Sequence, residues 1–154
     1  MSDIISDQPI RDAATLVLVR RIEGTPHVLL GQRGKGAIFM PGKFVFPGGR
    51  VDAADAAVPL ARPLPDDAAA RLKVEGDAPP AALAVAAIRE LWEETGLRLA
   101  ISAGESFPAP AGWETFCEGG LAPDGQALDF FFRAITPPGR PRRFDARFFL
   151  ARAE

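Results

Sequence analysis

The stretch Arg89-Glu90-Leu91-Trp92-Glu93-Glu94-Thr95-Gly96-Leu97 constrains this chain more than any other, because it commits one surface to carboxylates and the opposite one to a core. At about 100° per residue in a helix, Glu90, Glu93 and Glu94 share roughly a third of the circumference. Ala84, Ile88, Leu91 and Thr95, flanked by Val85 and Trp92, form a mostly apolar stripe on the other side. Pro80 suits a first helical turn and Gly96 a helix stop, so a helix is expected from about Pro80 to Thr95, with Leu97 to Ile101 as the next strand. Acids three and four apart are most often the solvated side of an amphipathic helix. A sharper reading stands beside that one: three like charges held so close repel unless a cation sits among them, and carboxylate oxygens suit magnesium or manganese.

Upstream, Lys43-Phe44-Val45-Phe46-Pro47-Gly48-Gly49-Arg50-Val51-Asp52 is a short apolar run broken by Pro-Gly-Gly. Such a turn is commonplace, yet a glycine pair also lets backbone groups approach a ligand or metal without side-chain obstruction.

Together the two segments resemble the Nudix hydrolase signature, G-x5-E-x7-R-E-U-x-E-E-x-G-U with U a bulky aliphatic residue. Gly49 matches the opening glycine, and Arg89, Glu90, Leu91, Glu93, Glu94, Gly96 and Leu97 match the second half. Two departures stand out. Arg89 follows Gly49 by forty positions instead of about fourteen, so an insertion splits the motif; and eight positions before Arg89 lies Ala81, where the family has a glutamate. Asp52 is the residue expected to take over part of that role. The flanks extend the resemblance from about Ala13 to Ala151. Gly31-Gln32-Arg33, Phe39-Met40-Pro41-Gly42, Arg133-Ala134-Ile135-Thr136-Pro137-Pro138 and Arg143-Phe144-Asp145-Ala146-Arg147-Phe148-Phe149 look like the coenzyme A diphosphatase branch of the Nudix-19 type, which also carries an insertion in its motif.

The resemblance implies an α/β fold, a Nudix-type α/β/α sandwich with a mixed sheet. A second helix should follow the last strand, and the chain stops at Glu154 before one, so that helix is expected to be absent and the carboxyl-terminal part truncated or unusually short. It also implies that Glu90, Glu93 and Glu94 hold Mg2+ or Mn2+ and that one of them deprotonates water. The Gly48 carbonyl would add a ligand, and Arg89 would orient Glu93 by an ion pair. Arg33 and Gly49 would meet the diphosphate. The activity implied is hydrolysis of a diphosphate bond in a nucleoside diphosphate linked to another moiety: a coenzyme A type, nucleotide-sugar or dinucleotide substrate. A homodimer is compatible with it. The alternative is a catalytically weak or inactive module on the same fold that binds a nucleotide metabolite or a protein, supported by Ala81 and the short carboxyl end.

At 154 residues the chain is read as one domain with one substantial core. Apolar content near half and a net charge of −2 argue against a disordered or nucleic-acid-binding protein. Met1 to Asp12 lacks the pattern of a signal peptide and Leu16 to Val19 is too short to span a membrane, so a soluble cytoplasmic protein with no membrane partner is expected. Cys117 reads as a buried structural thiol rather than a nucleophile, since the only histidine, His27, falls in an expected strand with no sign of pairing to it.

Strands are expected at Thr15–Arg21, His27–Gly31, Lys43–Phe46, Leu128–Ala134 and Arg143–Leu150. The glycine-rich loop from Arg33 to Gly42 is a candidate for substrate contact. Ala53 to Pro79, rich in alanine, proline and aspartate, reads as a mobile surface excursion with a short helix from Asp66 to Val74. Trp113 and Phe116, on a long loop, would either stack on a nucleobase or pack over the core edge.

Overall fold

The computed structural model describes residues 8–36, 42–105 and 107–153. Within them the chain forms β1 (Ile10–Ile22), β2 (Thr25–Val28), β3 (Gly31–Gln32), β4 (Phe44–Val45), β5 (Gly48–Arg50), a 3-10 turn at Ala53–Ala57, α1 (Asp66–Glu75), α2 (Pro80–Thr95), β6 (Ala100–Ser102), β7 (Leu121–Pro123), β8 (Asp129–Ile135) and β9 (Arg143–Arg152).

β1 organises the sheet. Along one edge it pairs in parallel with β9, from Ile10 opposite Arg143 to Val19 opposite Arg152. Its other edge is shared by β2 and β5, both antiparallel, and β8 runs antiparallel to the far side of β9. One parallel pair among antiparallel ones makes the sheet mixed, as expected. The period of two along the strands sends Ala14, Leu16 and Leu18 of β1, with Phe149 and Ala151 of β9, to one buried face. Phe144, Ala146, Phe148 and Leu150 point to the other.

α2 lies against the buried face. Its stop is set by Gly96, whose φ of 79° is the left-handed conformation that glycine adopts without a Cβ penalty, and whose N–H donates to the Trp92 carbonyl at 2.8 Å. The sequence pattern implies a stripe of burial, yet every residue from Ala82 to Arg89 is buried. The second cover is the 53–79 segment, and here the structure corrects the expectation of a surface excursion. Val58, Leu64, Ala68 and Leu72 join the same core as Leu83 and Ile88, and Leu72 is fully buried. Arg71 donates to the Phe130 carbonyl and stacks over its ring, and Arg62 forms a two-pronged ion pair with Asp124. A few aliphatic side chains suffice to seat the segment because each contributes about 1.5–3 kcal/mol on burial. The prolines fall between its elements instead of breaking them.

Both described α-helices therefore pack on one face of the sheet. The fold is the expected Nudix-like α/β arrangement with a mixed sheet. The second helical layer of a sandwich is not present among the described residues.

Candidate active site

β5 brings the glycine turn to the carboxylate end of α2. The Leu16 N–H donates to the Pro47 carbonyl and the Val51 N–H to that of Asp12. Antiparallel alternation then turns the polar groups of Gly48 and Arg50 away from β1, toward α2. The Arg50 carbonyl accepts from Arg89 Nη2 at 3.0 Å, and a backbone hydrogen bond from Gly48 holds the Glu94 carboxylate. Gly49 faces Glu90 so closely that a Cβ there would stand 2.5 Å from Glu90 Oε1. Only a residue without a side chain admits that carboxylate to the turn.

Arg89 is buried at the centre of the cluster. Its Nε donates to Asp55 Oδ1 at 2.8 Å and its Nη2 to Asp55 Oδ2 at 3.1 Å, while Nη1 reaches Glu90 Oε1 and Glu93 Oε2, both at 3.1 Å. Asp55 is itself 1% exposed and is fixed by the Asp52 N–H at 2.8 Å. Burial works against the guanidinium charge, but the Asp55 hydrogen bonds and the surrounding acids outweigh it and raise its pKa.

The acids on either side of Arg89 are under strain of charge. Burial pushes the Glu90 carboxyl up to about 7; Arg89 opposes the shift, and Glu93 and Glu94 add to it. Glu94 is also raised by burial, against the Gly48 backbone, a hydrogen bond with Glu90 and the charge of Arg33. Glu90 and Glu94 thus meet at the glycine turn, whereas Glu93 is drawn to Arg89. Among the described residues no three acids, histidines or cysteines converge closely enough to form a finished metal cage. The donor chemistry nevertheless fits a hard divalent cation: carboxylate oxygens crowded enough to be pushed toward protonation, beside outward-turned backbone groups of Gly48. Arg33, half-buried at the start of its loop, is close enough for its charge to act on Glu94. The middle of that loop, residues 37–41, lies outside the described residues.

No protein-family model matches the chain. Over 152 aligned positions it is 30% identical to nudix hydrolase 7 of Caenorhabditis elegans, an alignment that takes in 91% of this chain and 43% of that protein. The chain thus spans less than half the length of that relative. A crystal structure of a NUDIX hydrolase from Alicyclobacillus acidocaldarius is 33% identical and superposes with a TM-score of 0.71, covering 96% of this chain and 71% of that one.

The chain belongs to the Nudix hydrolase family.

Nudix hydrolases are pyrophosphohydrolases that typically use divalent metals, and the fold goes with nucleotide-type small-molecule substrates. Within the motif, Asp55 is the acid held most tightly by Arg89. Neither Ala81 nor Asp52 is the buried partner of Arg89. Ala81 is exposed on the first turn of α2, eight residues or about 12 Å along the axis from Arg89. Asp52 is 58% exposed and only 3.5 Å from Arg89 Nη2. Asp55 is that partner, and a signal for it was present: G-x5-E counted forward from Gly49 ends on residue 55. Counting backward from Arg89 crosses the insertion and so misses it.

Other expectations resolve by burial. Trp113 and Phe116 do not face a ligand; they are buried against Trp92, with Trp113 and Phe116 4.9 Å apart edge to face. Cys117 is buried beside them, and burial, with Glu114 adding to it, raises its thiol pKa, as befits a structural cysteine. His27 is exposed on β2. Among the described residues no helix is long and apolar enough to cross a membrane.

Proposed function

We propose that this Nudix hydrolase cleaves the diphosphate bond of a nucleoside diphosphate linked to another moiety, with Mg2+ or Mn2+ held by Glu90, Glu93, Glu94 and the Gly48 carbonyl. The observation that carries the reading is the seating of Glu90 against Gly49 with Glu94 tied to Gly48, which concentrates carboxylate charge at a turn whose backbone is open to a ligand. A bound divalent cation would screen the two phosphate charges and lower the pKa of an attacking water.

The residues of the chain supply the positioning. Arg89, locked by Asp55, sets Glu90 and Glu93 at fixed places on α2 and ties that end of the helix to β5 through the Arg50 carbonyl. Arg33 adds positive charge beside Glu94, where a diphosphate would lie. Gly49 keeps the approach clear. Asp55, six positions after Gly49 and paired with Arg89, supports activity over the reading of an inactive binding module.

Coenzyme A or a coenzyme A ester remains the proposed form of the substrate over an oxidised-base nucleoside triphosphate. It rests on the resemblance of the split motif and its flanks alone. A panel of dinucleotides, nucleotide sugars, coenzyme A species and 8-oxo-purine triphosphates with magnesium tests both levels. Release of a nucleoside monophosphate or its 3′-phosphorylated form from diphosphates is expected. No hydrolysis anywhere on the panel would overturn the activity, and preference for the triphosphates would overturn the substrate.

A further inference from the structure

Past Leu91 the helix α2 leaves the core: Glu93, Glu94 and Thr95 are exposed, and Trp92 is the residue of the last turn that packs inward. Helical geometry sets Trp92 about 160° round the axis from both Glu90 and Glu94. The two carboxylates that meet the glycine turn therefore have one indole directly behind them. That indole rests on a wall. Phe116 meets it edge on at 5.3 Å and Trp113 lies 6.0 Å away, and both of these rings are buried.

The wall is fastened to the same end of the helix. Arg98, two residues beyond the Gly96 stop, donates from Nη1 to the Phe116 carbonyl at 3.1 Å, and the Cys117 N–H closes a turn on the Trp113 carbonyl at 2.9 Å. In front the fit is as close, since a Cβ on Gly49 would collide with the Glu90 carboxylate. The last turn of α2 is thus held between the glycine turn on one side and two aromatic rings behind Trp92 on the other. Close packing leaves it little slack.

We propose that Trp113 and Phe116 are positioning residues for the hydrolysis: acting through Trp92, they press the acid end of α2 against the glycine turn and so set the distance of Glu90 and Glu94 from Gly48. Shortening either ring opens space into which Trp92 and the helix can retreat. A misplacement of about 1 Å costs on the order of a hundredfold in rate. The effect on turnover rests on the diphosphatase reading, whereas the hydrogen bond from the Gly48 backbone to Glu94 reports the geometry without it.

Two measurements on Trp113→Leu and Phe116→Leu test this: hydrogen exchange of the Gly48 amide, referred to the Leu16 amide of β1, and steady-state kinetics. Leu72→Ala on α1 is the control for lost stability alone. Both ring truncations should speed Gly48 exchange about tenfold. They should lower kcat by about tenfold to a hundredfold with KM within about twofold. Leu72→Ala should leave all three near wild type. Phe116→Leu is the smaller truncation and carries the test if Trp113→Leu does not fold. Gly48 exchange that is unchanged in the ring variants, or raised equally by Leu72→Ala, would overturn the proposal, as would an unchanged kcat in an active protein. Faster exchange in a protein that cleaves no diphosphate would support the seating of the helix and count against the proposed activity.

Discussion

Arg89 and Asp55 are joined by two parallel hydrogen bonds across an insertion that separates them by 34 positions, and both are buried. The pair closes the split motif in space. Removing the carboxylate leaves a buried guanidinium without its principal partner, which costs about 3–5 kcal/mol. Asp55→Ala should lose that much in urea unfolding. A loss under about 1 kcal/mol would mean that Asp52, which lies near Arg89 but exposed, serves as well.

The two glycines of the turn should fail differently. A Cβ on Gly48 meets the Ala14 carbonyl at 2.7 Å and the Thr15 Cα at 2.9 Å, both backbone, so Gly48→Ala must shift a strand and should cost about 1–3 kcal/mol. A Cβ on Gly49 meets only the Glu90 carboxylate, the movable end of a side chain. Gly49→Ala should unfold near the wild-type midpoint while turnover falls about a hundredfold through displacement of Glu90. Chemical denaturation and steady-state kinetics on both variants separate the effects.

Much of this was legible in the sequence. The apolar spacing and Gly96 placed α2, and the residue types of Arg89 to Glu94 placed the acids on it. What hid Asp55 and the packing of Ala53 to Pro79 was a shared cause: composition describes a segment by its average. Alanine, proline and aspartate average to a loop, whereas burial is decided by Val58, Leu64 and Leu72 at particular places. Likewise Trp113 and Phe116 look available on a glycine-rich loop until the fold brings Trp92 against them. The pairing of Glu90 with Gly49 depends on register across β5 and α2, which no local pattern encodes.

The inserted segment acts as core. Leu72→Ala should therefore cost about 2–5 kcal/mol in chemical denaturation, as for other fully buried leucines. A change within about 0.5 kcal/mol would return the segment to the surface.

Acid stability should depend on Asp145. Arg133 grips its carboxylate with bonds of 2.8 and 2.7 Å, and with Arg147 nearby holds its pKa below the ordinary carboxylate value. A depressed folded pKa contributes stability that is fully present above the unfolded pKa, about 4, and lost as pH falls through the folded one. The Asp145→Asn variant should be less stable at neutral pH and should show a shallower loss of stability below about pH 4. Parallel pH–stability curves for the two proteins would remove Asp145 from the account.

The central claim is that the carboxylates of α2 act on substrate through a divalent cation, and the turnover of Glu94→Gln with magnesium tests it most directly. The substitution keeps size and removes one charge and one hard ligand. The measurement is the rate of monophosphate release from the best diphosphate substrate, with the folded state checked by thermal melting. A fall of about a hundredfold or more at an unchanged fold is expected, a loss of transition-state stabilisation. Wild-type turnover in Glu94→Gln would contradict the claim and leave these acids as the solvated face of a helix.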